Sequence, residues 1–129
     1  MLAKIHRVVR AEDYRRTVRR GKRIASSHLV AYVANRADET SVRFGFIVSK
    51  AVGNAVTRNR VRRRLKAVSF ELLGTIPPGT DIVVRALPGA AQADWTTVQH
   101  DVRTMLERGL VSTAQHYATE RRAREGKGR

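Results

Sequence analysis

Apolar and polar positions alternate most regularly over residues 42–49, VRFGFIVS. Val42, Phe44, Phe46 and Val48 fall on one side, and Arg43, Gly45, Ile47 and Ser49 on the other, which predicts a half-buried strand. Gly45 inside that strand weakens it and marks a place where something comes close to the backbone. The period then changes. Val61, Leu65, Val68 and Leu72 recur at i, i+4, i+7 and i+11, the stripe of an amphipathic helix over 55–73. Asn54 is its predicted N-cap. Gly74 ends it, and Pro77-Pro78-Gly79 prevents its continuation.

The flanking segments read less sharply. Residues 11–20, AEDYRRTVRR, predict a short helix with Tyr14 and Val18 on one face and Gly21 as its stop. Residues 24–34 predict one strand, 35–41 a polar turn, and the pair 24–34 and 42–49 an antiparallel hairpin. Residues 81–86, DIVVRA, predict a buried strand, followed by a loop at 87–93. Asp94 is placed to cap a last helix whose core face is Trp95, Val98, Val102, Met105, Leu106 and Leu110, with Gly109 as a candidate interruption. In the lead-in, residues 1–10, Ile5, Val8 and Val9 are the available anchors. Val52 and Val56 extend the apolar pattern N-terminal to Val61.

The order is helix, two strands, helix, strand, helix. It predicts an α+β fold, a small two-layer sandwich with a hairpin and one strand–helix–strand crossover. The general rule favours a right-handed crossover. The 129 residues suit one domain, taken as 1–118, with 119–129 as a frayed basic tail.

Charge narrows the function. Lys and Arg total 26 against 11 Asp and Glu, a formal net charge of +15. That balance implies a polyanionic partner, nucleic acid or an anionic membrane. Between Glu39 and Glu71 there is no acid, yet this interval holds KAVGNAVTRNRVRRRLK at 50–66. The apolar anchors within that run distinguish it from a disordered basic tail. Arg predominates over Lys, and its planar fork matches phosphate oxygens bidentately. Tyr14 and Tyr32 lie near basic residues and have two readings, as platforms for unpaired bases or as ordinary core residues with a wet hydroxyl.

No protein-borne active site is legible. His6, His28, His100 and His116 are scattered at no metal-ligand spacing and read as solvated surface residues. His100-Asp101 are helix neighbours that do not face each other. There is no cysteine, so no disulfide, thiolate metal site or cysteine nucleophile. VGNAV lacks the glycines and the terminal Lys-Ser/Thr of a phosphate loop. No apolar run reaches the roughly 18 residues of a membrane span, and MLAKIHRVVRAEDYRR lacks the apolar stretch of a secretory signal. A cytoplasmic protein without a membrane partner is expected.

FGFIVSKAVGNAVTRNRVRRRLK resembles the signature of the bacterial ribonuclease P protein component. Lys50, Gly53, Asn54, Ala55, Val56, Arg58, Asn59 and Arg60 match its core, and Arg62, Arg63 and Arg64 continue the basic run. Asp13-Tyr14 on a short helix, then Val18 and Gly21, extend the likeness towards the start. The resemblance implies a protein partner of a catalytic RNA, the two together removing the 5′ leader of precursor tRNA by hydrolysis. Mg2+ would be held mainly by the RNA subunit, with no organic cofactor and no obligate protein partner. It also implies a ribosomal-protein-S5-like domain 2 fold with a left-handed βαβ crossover. Carried over residue by residue, Lys50, Asn54, Arg58, Asn59, Arg60, Arg62, Arg63, Arg64 and Lys66 would contact the catalytic RNA and the substrate near the cleavage site. Tyr14, Val18, Lys22, Arg23, Tyr32, Phe44 and Phe46 would form a cleft for the single-stranded leader. Tyr14 stands where the family usually has Phe, and Val18 where it often has an aromatic residue. Two alternatives are a non-catalytic ribosomal or double-strand-RNA binding protein, and a DNA-binding protein placing helix 55–73 in the major groove. The spread of cations around most of that helix argues against the second.

Overall fold

Helix α2, Ala55–Leu72, is the longest element with both ends defined, and the sequence accounts for its start and its seating. Asn54 Oδ1 accepts a hydrogen bond from Thr57 N at 2.9 Å, closing one of the first-turn donors. Val61, Leu65 and Val68 are buried, as the stripe predicts. Val56 is not part of that anchor set; it is 76% exposed, because five residues before Val61 it lies well off the buried stripe.

The computed structural model describes residues 2–36 and 40–110. Around α2 lie α1 (Ala11–Arg20), β1 (Lys22–Ala25), β2 (Leu29–Asn35), β3 (Arg43–Ile47) and β4 (Thr80–Ala86). A third helix, α3, runs from 95 through 110. The four strands form one sheet in the order β1-β2-β4-β3. β1–β2 and β2–β4 are antiparallel, and β3–β4 are parallel, joined by α2 as the crossover. The fold is α+β, as expected.

Two strand expectations are corrected. The run 24–34 is not one strand but the hairpin β1–β2. Ser26 turns the chain: its Oγ accepts from His28 N at 3.3 Å and Leu29 N at 3.1 Å, an arrangement that competes with ladder bonding. Nor do β2 and β3 pair with each other. β4 lies between them, with Tyr32 and Gly45 both in register with Val83. The apolar run Ile82–Val84 is buried on both faces and so takes the central place.

α2 and α3 cover one face of the sheet. Phe44, Leu29, Val33, Ile82 and Val84 from the sheet meet Leu65, Val68, Val98, Val102, Met105 and Leu106 there. Gly109 does not interrupt α3. It is where α3 approaches the sheet: a Cβ there would sit 2.6 Å from Val33 Cγ2 and 2.8 Å from Ile24 Cδ1. The short α1 lies against the opposite face, over β2 and β4. The lead-in guards the free edge of β3, where Arg7 bridges Phe44 and Val8 N donates to Phe44 O at 2.8 Å. Val8 and Leu2 are buried, whereas Ile5 and Val9 are exposed and anchor nothing. The tail expected at 119–129, together with His116, lies outside the described residues.

Candidate nucleic-acid interface

Helix propensity and the Asn54 cap fix α2; its one-sided apolar stripe then forces the remaining side chains outward. Asn59, Arg60 and Arg63 are exposed, and Arg58, Arg62, Arg64 and Lys66 are half-buried along the flanks. Lys50 and Asn54 are exposed just ahead of the helix, whose first turn carries no acid. Several of these cations are steered by neutral partners. Arg62 donates to Asn59 Oδ1 (3.2 Å) and Val48 O (3.4 Å), and Arg60 reaches Ala91 O at 3.5 Å. The Arg64 guanidinium lies 5.7 Å from the centre of the Trp95 ring. The Arg58 Nε is closed off from solvent without a hydrogen-bond partner. Among the described residues, none of the cations from Arg58 to Lys66 has an acidic partner within salt-bridge distance.

A few cations elsewhere are paired with acids. Asp81 is buried between Arg43 and Arg36, and Arg43 also reaches Asp13 at 3.4 Å. Asp13 in turn holds Arg16 at 2.7 Å. The α2 cations thus differ from the Arg16, Arg36 and Arg43 network, which is neutralised within the fold, and resemble exposed Arg23 and Arg85, which likewise have no acidic partner among the described residues. Two shallow grooves flank that face. One is lined by Val56, Asn59, Arg62, Arg63 and Lys66, the other by Arg60, Arg63, Arg64, Ala67 and Trp95.

The α1 side of the sheet is a second surface. The Tyr14 ring lies directly on Gly45, where a Cβ would come within 2.5 Å of Cε1. The close approach expected at that glycine is the tyrosine, whose hydroxyl accepts from Phe46 N at 3.3 Å. Tyr14 packs with Val30, Tyr32 and Val83, and Val18 follows one turn on, 36% exposed. Strand register puts Arg23, Tyr32, Val83 and Gly45 in one row of this face. The structure thus brings Tyr14, Val18, Arg23 and Tyr32 to one side of the sheet.

It does not bring Lys22, Phe44 and Phe46 there. Strand alternation turns Phe44 and Phe46 to the α2 side, where their rings lie nearly parallel with centroids 6.2 Å apart; Phe44 is buried in the main core. Lys22 pairs with Val33 and shares that same side. Arg85 was missed. It is exposed in the central strand between Val30 and Ile47, on the Tyr14 side. A charge inside the apolar run of 81–86 was the available signal, since a central strand carries one only where its face is open.

Comparison with known proteins agrees with this geometry. A family model described as Ribonuclease P matches residues 2–109. The ribonuclease P protein component of Clavibacter michiganensis subsp. michiganensis is 50% identical over 110 residues, covering 85% of this chain and 97% of the relative. That of Rhodococcus opacus is 44% identical over 117 residues, covering 86% and 90%. A Staphylococcus aureus RNase P protein mutant with defective mRNA degradation activity superposes with a TM-score of 0.75 at 28% identity, covering 81% of this chain and 87% of that one. The RNase P protein from Thermotoga maritima gives 0.70 at 25%, covering 79% and 96%. Sequence, fold and the basic α2 face agree: the chain belongs to the ribonuclease P protein component family.

Proposed function

We propose that this chain binds the catalytic RNA of ribonuclease P through the exposed face of α2, and the 5′ leader of precursor tRNA through the Tyr14–Tyr32 side of the sheet. It thereby assists removal of the leader to give the mature tRNA 5′ end. The observation that carries the reading is the division of cations, with Arg36 and Arg43 neutralised by Asp81 while the α2 face has no acidic partner.

The chemistry belongs to the RNA in this reading. Mg2+ held mainly by the RNA subunit would supply an activated water and offset the charge developing on the scissile phosphate. Among the described residues no three His, Asp or Glu side chains come together to hold a metal ion. Asp81, the buried carboxylate, already faces two guanidiniums. The protein's part is electrostatic and positional. Arg58, Arg60, Arg62, Arg63, Arg64 and Lys66 lower phosphate repulsion where RNA strands crowd, which raises affinity for substrate and for metal ions. Half-buried Tyr14 offers an aromatic edge to the leader, Tyr32 is buried beneath it as a core residue of this face, and exposed Arg23 and Arg85 offer charge. No helix among the described residues is long and apolar enough to cross a membrane.

The test is the affinity of the assembled protein–RNA complex for precursor tRNA with and without its leader. Tighter binding of the leader-bearing form, weakened by replacing the exposed Arg23 and Arg85 with Ala, is expected. Equal affinity for both forms would overturn the leader assignment.

A further inference from the structure

The basic run of α2 does not end at its own surface. On the flank towards α3 it closes a groove with Trp95, a residue on a different element about thirty positions later in the chain. Arg60, Arg63, Arg64 and Ala67 make the α2 wall, and the indole makes the other. Every titratable residue lining this groove is an arginine. Ala67 adds a small apolar residue to that wall.

The indole is half-buried, packed on the core along one side and open to the groove on the other. Arg64 stands over it with Cζ 5.7 Å from the ring centre. That is within cation–π range, so the guanidinium shares the ring, and a stacking base lies beside it or displaces it. Arg60 is drawn the same way, its guanidinium 3.5 Å from Ala91 O at the foot of α3. The groove therefore combines an aromatic face, a planar cation beside it and two more cations at its rim. Phosphate alone needs only the cations. An aromatic face with arginines beside it suits an unpaired nucleotide, whose base stacks while its phosphates are neutralised.

We propose that the Trp95 groove is a single-stranded RNA subsite: an unpaired base stacks on the indole, and Arg60 and Arg63 take the flanking phosphates. This rests on the α2 face being an RNA surface, and extends that surface onto α3 with a preference for unpaired over paired RNA. Duplex RNA hides its base faces, and its backbone alone would engage the arginines without the ring.

Trp95 is the chain's single tryptophan, so its emission reports the site directly. The probes are a single-stranded oligoadenylate of about ten nucleotides, within the usual span of stacking sites, a duplex of the same length, and an abasic ribose-phosphate strand. Binding is followed in parallel by anisotropy of a label on the RNA. Saturable quenching of Trp95 by the oligoadenylate is expected, with little change from the duplex or the abasic strand although both bind. Trp95→Leu, which keeps an apolar body but no stacking face, should weaken oligoadenylate binding by roughly tenfold, the loss of one base–aromatic stack. Trp95→Phe should restore most of it, and the abasic strand should not distinguish the variants. Circular dichroism and urea unfolding confirm that each variant is folded; a Leu variant that fails to fold is replaced by Trp95→Met. Oligoadenylate binding by anisotropy without quenching, or equal affinity for the wild type and the Leu or Met variant, would overturn the subsite while leaving the function above intact. If neither the oligoadenylate nor the catalytic RNA bound at all, both would fall.

Discussion

Arg43 on β3 and Asp81 on β4 are register partners, and two hydrogen bonds of 2.8 Å join their side chains. Asp81 is only 1% exposed and also receives Arg36, while Arg43 extends to Asp13 on α1. One buried carboxylate thus holds together the sheet edge, the segment after β2 and, through Arg43, the helix that carries Tyr14. Asp81→Asn leaves two guanidiniums facing a neutral amide. Breaking such a buried pair removes about 3 kcal/mol or more of stability. Urea unfolding checks this; a loss below about 1 kcal/mol would show the network to be marginal.

Salt dependence separates the two classes of cation. Arg63 is exposed and has no acidic partner among the described residues, so Arg63→Ala should lower the slope of log affinity for the catalytic RNA against log salt by about one. Arg43→Ala should reduce stability and leave that slope nearly unchanged. Equal slope changes in the two variants would contradict the division.

Tyr14 and Gly45 form a steric pair. In Gly45→Ala the new methyl would meet the tyrosine ring at 2.5 Å, so the ring must move. A destabilisation of about 1–3 kcal/mol is expected, as for overpacking elsewhere, with weaker binding of leader-bearing substrate. Tyr14→Phe removes only the hydroxyl that accepts from Phe46 N, a loss of about 1 kcal/mol. Thermal melts of the two variants, read beside leader affinity, distinguish displacement of the ring from loss of one hydrogen bond.

Along α2, Leu65 is 1% exposed and Val56 is 76% exposed. Leu65→Ala should destabilise by about 2–5 kcal/mol. Val56→Ala should change stability by less than about 0.5 kcal/mol. Comparable losses in the two variants would mean that α2 is seated differently.

These contrasts show what the sequence made legible. Periodicity placed α2, its Asn54 cap and the two faces of β3, because each rests on a local pattern: a 3.6-residue stripe, one side chain folding back on its own helix, strict alternation. It did not place β4 between β2 and β3, since strand order depends on contacts remote in sequence. Nor did it show the break at Ser26, where a hydroxyl captures two N–H groups within an otherwise strand-like run. The resemblance placed Tyr14, Val18, Arg23 and Tyr32 on one surface. Phe44 and Phe46 were grouped with them as aromatics in the right segment, although their own alternation turns them to the core. Arg85 is legible only as a charge inside an apolar run, and Trp95 reads as a core position of its helix, because its groove exists only where α2 packs beside it.

The most direct test of the central claim is cleavage of precursor tRNA across a Mg2+ titration, with the catalytic RNA alone, this protein alone and the two together. The account predicts no cleavage by the protein alone, and a midpoint shifted to lower Mg2+ when it joins the RNA, the shift shrinking when Arg60 and Arg63 are both replaced by Ala. Efficient cleavage by the protein alone, or an unchanged Mg2+ midpoint in the complex, would contradict it.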